Sequence, residues 1–129
     1  GIGPKDLPNK SVEMARRDLL TKEVVPMDGL AERIAKTLDD IQTTLYNRAL
    51  ERREKMSHHV NTWAEFEAAL DKGGFVYAHW DGTTETEIKI KELTKATIRC
   101  IPLENRKEPG KCILTGKPSE QRVLFARAY

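Results

Sequence analysis

Apolar residues recur at three- and four-residue spacing through Leu30, Ile34, Leu38, Ile41, Leu45 and Ala49, which places them on one face of a helix. Asp28 is the predicted N-cap, and the last turns, residues 51–56, are basic on balance, with Arg52, Arg53 and Lys55 complementing the helix dipole. Asp39, Asp40, Arg48, Arg52 and Arg53 fall off the stripe and read as a solvated face. Upstream, residues 1–28 are broken by Gly and Pro. Their best strand candidates, 11–14 and 23–25, read as strands without partners.

Downstream the period shortens. His58 and His59 read as linker, since no carboxylate or cysteine stands nearby at ligand spacing. Asn61 or Thr62 can cap a second helix over 63–71, with Trp63, Phe66, Ala69 and Leu70 on a core face and Gly73-Gly74 ending it. The apolar run 75–80 predicts a strand buried on both faces, with His79 a satisfied core or edge residue. A third helix over 85–93 turns Ile88 toward the core, and strands follow at 97–102 and 122–128. If strands 75–80 and 97–102 are neighbours, the helix between them is a right-handed crossover and they run parallel, with the last strand added to the same sheet. The expected fold class is therefore α/β (α+β): part of an α/β domain with a long helix, then a small α/β sandwich.

Composition narrows the chemistry. Of 129 residues 33% are charged, yet they nearly cancel to +2, which excludes a dedicated nucleic-acid tail and a basic membrane-surface helix. No apolar run approaches membrane-spanning length. Two cysteines and no signal peptide point to a reducing compartment. Cys100 ends a strand, and Cys112 opens Cys-Ile-Leu-Thr-Gly, where a zinc knuckle would place a second thiolate at Thr115. A neutral hydroxyl is a poor zinc ligand beside thiolate or imidazole.

Gly-Gly-Phe-Val-Tyr-Ala-His-Trp (73–80), Ala-Thr-Ile-Arg-Cys-Ile-Pro (96–102), Glu-Pro-Gly-Lys-Cys (108–112) and Arg-Val-Leu-Phe-Ala-Arg-Ala-Tyr (122–129) occur in this order. Upstream stand Gly-Pro-Lys-Asp-Leu (3–7), Arg-Arg-Asp (16–18), Val-Pro-Met-Asp (25–28) and Asp-Asp-Ile-Gln (39–42). The set resembles the C-terminal end of prolyl-tRNA synthetases of the archaeal and eukaryotic type. The resemblance implies that residues 1–57 finish an anticodon-binding domain and that 58–129 form the zinc-type C-terminal domain. On that reading the chain starts inside the anticodon-binding domain and lacks the catalytic domain.

The resemblance implies more about function. The parent enzyme uses ATP and magnesium to activate proline and transfers it to its tRNA, works as a cytoplasmic homodimer, and keeps no catalytic residue in this stretch. Lys5, Arg16 and Arg17 become tRNA-side candidates, with ion pairs to Asp6 and Asp18 as the alternative use of the same charges. Tyr129 would reach back toward the catalytic domain of the same chain. The family's four zinc cysteines fall on Asp81, Cys100, Cys112 and Thr115, so the expectation is a metal-free corner in which Asp81 and Thr115 hydrogen-bond to turn amides or to each other. The alternative from another class is a free-standing nucleic-acid or protein-interaction module, which ATP-binding motifs upstream in the same reading frame would rule out.

Overall fold

The computed structural model describes residues 1–104 and 106–128. The chain forms two compact units, Gly1–Glu51 and Arg52–Tyr129, with the break inside the long helix α1 (Leu30–Lys55). The fold is α+β, with three helices and small sheets among the described residues.

In the first unit, β1 (Ser11–Arg16) and β2 (Thr21–Pro26) pair antiparallel, from Ser11 opposite Pro26 to Arg16 opposite Thr21. The two strands are therefore each other's partners, which corrects the reading of them as unpaired. Buried Val12 and Val25 face each other directly across the pair. The α1 cap is Gly29 rather than Asp28: Gly29 has φ +67°, and its carbonyl accepts the Arg33 N–H at 3.1 Å. Asp28 lies one residue too early.

The apolar stripe of α1 does not form a buried face. No α1 residue is buried, and Leu38 of the apolar stripe is 61% exposed. The charged residues Asp40 and Arg48 are exposed as read and also tie the hairpin: Asp40 accepts from Arg16 at 3.0 Å, and the Arg48 guanidinium donates to the Asp18 carbonyl at 3.2 Å, while Arg33 pairs with Glu23 at 3.0 Å.

The second unit is built on a four-stranded sheet, order β3-β4-β8-β5, from β3 (Ser57–His59), β4 (Phe75–His79), β5 (Ala96–Cys100) and β8 (Arg122–Arg127). The histidine pair is thus edge strand rather than linker, parallel to β4 with His59 opposite Tyr77. Strands β4 and β5 do run in the same direction, but β8 lies between them, antiparallel to both. The expected neighbours are displaced because β8 supplies Val123 and Phe125 to the middle of the core, where both are almost fully buried.

Helix α2 (Trp63–Lys72) starts in a capping box: Thr62 accepts the Glu65 N–H, and the Glu65 carboxylate accepts the Thr62 N–H. Phe66, Ala69 and Leu70 are buried as the pattern predicts, and Phe66 meets Phe125 edge to face at 5.1 Å. Helix α3 (Thr84–Thr94) buries Thr86, Ile90 and Thr94, while Ile88 is 51% exposed, so the predicted core residue points outward. The four-residue spacing is right, but two threonines carry it. On β4 only one face is wholly covered: Val76 and Ala78 are buried, whereas Phe75 is exposed and Tyr77 half-buried. Arg127 closes the helix side, donating to the Thr94 carbonyl at 2.7 Å and pairing with Asp71 at 2.7 Å.

Candidate functional site

Two arrangements in the second unit concentrate its polar chemistry, and both sit where β4 ends. The first is the corner at Asp81. Its Oδ1 accepts the Thr83 N–H at 3.2 Å and the Thr83 hydroxyl at 2.9 Å, while its Oδ2 accepts the Thr86 hydroxyl at 2.9 Å and the Thr115 hydroxyl at 2.8 Å. Thr83 is also the N-cap of α3, so the carboxylate ties the helix start to the 112–116 turn. Burial disfavours the charged form of Asp81, but the hydroxyls of Thr115, Thr83 and Thr86 and the Thr83 amide outweigh it and hold the pKa at about 2.

That turn belongs to a small hairpin, β6 (Gly110–Lys111) and β7 (Pro118–Ser119), whose tip is closed by the Gly116 N–H donating to the Cys112 carbonyl at 2.9 Å. The Ile113 N–H reaches the His79 carbonyl at 2.9 Å, which fixes the hairpin to β4.

The second arrangement surrounds His79. Its ring nitrogens lie 3.1 Å from Ser119 Oγ and 3.2 Å from Glu108 Oε1, and the ring is buried. Glu108 also accepts from Arg122 Nε, and the Arg122 guanidinium donates to the Val60 carbonyl at 2.7 Å and to Asn61 Oδ1 at 2.6 Å. The Arg122 contact, helped by His79, outweighs burial and holds the Glu108 carboxyl below the usual range. A serine, a histidine and a glutamate in a row resemble a hydrolytic triad, but the buried Ser119 hydroxyl donates to the Gln121 carbonyl at 2.9 Å and is not available as a nucleophile. The cluster is a brace. Gly110 passes so close to His79 that a methyl group there would run into the ring.

The four positions singled out for zinc do not fit the metal. Both Asp81 oxygens are filled, two donors each, and Thr115 offers only a neutral hydroxyl that is already donating. Cys112 is buried in the hairpin turn and Cys100 is exposed at the end of β5. Among the described residues no group of three or more His, Cys, Asp or Glu side chains is placed to hold a metal ion.

The RNA-side candidates separate. Arg16 pairs with Asp18 at 2.8 Å and with Asp40, which raises its pKa further and holds the Asp18 carboxyl below its ordinary range. Lys5 and Arg17 are exposed. Tyr129 lies outside the described residues.

Residues 63–129 match the family model described as "Prolyl-tRNA synthetase, C-terminal". The chain belongs to that family. It is 56% identical over 128 residues to a protein of Porphyromonas gingivalis strain ATCC 33277 named proline–tRNA ligase, covering 99% of this chain and 26% of that one. Proteins of the same name from Flavobacterium psychrophilum and Salinibacter ruber are 56% and 55% identical over 129 residues, with the same coverage. The chain thus spans about a quarter of the length of the curated relatives it matches.

The family match includes the Asp81 corner and the His79 brace. The family resemblance had pointed to Asp81 and Thr115 but gave no role to Glu108, Ser119 or Arg122. The one available signal was Arg122 at the head of a strand whose interior is apolar.

Proposed function

We propose that the chain is the C-terminal part of a proline–tRNA ligase. The observation that carries this reading is 56% identity over 99% of the chain to a protein of that name, together with the family match over residues 63–129. The parent enzyme then activates proline with ATP and magnesium and attaches it to its tRNA in a domain outside this stretch. It does so in the cytoplasm and as a homodimer. No helix among the described residues is long and apolar enough to cross a membrane, in keeping with that setting.

Within the parent, the first unit finishes the anticodon-binding domain, with Lys5 and Arg17 as its free cations for RNA and Arg16 holding the hairpin. The second unit is a structural support in which the Asp81–Thr115 contact serves where relatives of the four-cysteine kind use zinc. Tyr129 supports the catalytic domain of the same chain.

Proline-dependent exchange of pyrophosphate into ATP tests the reading. The enzyme encoded by the complete gene should catalyse it and charge tRNA with proline, whereas the 129-residue chain should give only the no-enzyme background. A complete gene product inactive with proline would overturn the assignment.

A further inference from the structure

The outer face of the four-stranded sheet, opposite α2 and α3, carries a feature that the metal corner does not use and that the brace only borders. His59 and Tyr77, register partners on β3 and β4, stack with ring centroids 4.5 Å apart and planes within 4°. His59 lies on the edge strand and is exposed, and no further strand among the described residues covers it. The pair forms one wall of an open groove of about 720 Å³, which Arg53 and Glu54 line at the end of α1 and Glu104 and Arg106 line on the segment after β5, with the mutually paired Glu108 and Arg122 of the brace at its border. Neither the Arg53 nor the Arg106 guanidinium has a hydrogen bond or ion pair among the described residues.

We propose that this groove is a binding site for an unpaired nucleotide of single-stranded RNA. A flat, π-faced ligand extends the existing stack on its open His59 side. Such stacking tolerates any base. The two uncommitted guanidiniums can pair with the flanking phosphates, and the Glu54 and Glu104 carboxylates can accept from base N–H groups. An apolar peptide would leave these four charged groups unanswered. The choice of RNA over other nucleotide polymers rests on the tRNA-ligase reading above, whereas the stack and the arginines do not.

The test is fluorescence-anisotropy titration of the full 129-residue chain with a labelled, unstructured RNA heptamer, with a duplex of the same sequence as control. His59→Ala and the double variant R53A/R106A should each weaken heptamer binding about tenfold, the effect of losing one stacking platform or a phosphate pair. Removing exposed charges of α3, on the opposite face of the sheet, in K89A/K91A, should leave the binding in place. Circular dichroism confirms folding, and R106A alone, on an exposed segment, keeps the test valid if His59→Ala perturbs the edge strand. Equal binding by wild type and both groove variants, an equal loss in K89A/K91A, or equal preference for duplex would overturn the site. A complete enzyme that charges tRNA while the chain ignores the heptamer would sink this inference and leave the ligase reading standing.

Discussion

The Thr115 hydroxyl donates to Asp81 Oδ2 at 2.8 Å across 34 residues of sequence, joining the tip of the β6–β7 hairpin to the start of α3. Replacing Thr115 by Val keeps the shape and removes the donor. Loss of one such bond should lower the stability of the second unit by about 1 kcal/mol in urea denaturation. An unchanged midpoint with an unchanged slope would mean that the contact contributes nothing.

Acid should reveal the same corner. Asp81 is held at about 2 in the folded protein against an ordinary 3.8, so its contribution is present above the unfolded value and is lost as pH falls from 3.8 toward 2. The stability difference between wild type and Asp81→Asn should therefore be constant near neutrality and shrink over that acid window. A difference that stayed flat down to pH 2 would contradict the depressed ionisation.

Zinc should be absent in stoichiometric amount. Protein purified without chelator should carry far less than one zinc per chain by elemental analysis, and its melting temperature should not move with EDTA, because Asp81 already has two donors on each oxygen. One equivalent of zinc with a large EDTA-induced drop would refute this.

The two isoleucines of α3 give a direct test of its orientation. Ile90→Ala empties a fully buried site and should cost about 2–5 kcal/mol, whereas Ile88→Ala on the exposed side should stay within about 0.5 kcal/mol. Comparable losses would mean that the helix is rotated.

At Gly110 the added methyl of Gly110→Ala meets the His79 ring and should destabilise by about 1–3 kcal/mol. Because the two residues touch, adding His79→Ala should recover part of that loss rather than sum with it.

Much of the second unit was legible from local pattern. The α2 face of Phe66, Ala69 and Leu70 follows from spacing within a dozen residues and appears as read, and of the two caps offered, Asn61 and Thr62, the helix uses Thr62. The Asp81–Thr115 bond was also among the readings, because the family resemblance singles out these two short polar side chains, which can hydrogen-bond to each other. What escaped depends on distant partners. Ile88 and Ile90 are equally apolar, and only the sheet decides which one it covers. The α1 stripe has the period of a core helix, yet the hairpin of its own unit engages its charged side through Arg16 and Asp40. Arg122 reaches Asn61, 61 residues away, and no window along the chain holds both.

The placement of β8 governs how this unit can be made. Strands emerge from the ribosome in the order β3, β4, β5 and then β8, yet β8 is the rung on which β4 and β5 both hang. Until Arg122–Arg127 has left the exit tunnel, β4 and β5 each present an open edge, and the pocket for Phe125 stands empty beside Phe66. Vectorial synthesis therefore cannot complete this sheet piecemeal. It closes in one late step, and a nascent chain paused before residue 122 is the form most exposed to mispairing and to chaperones.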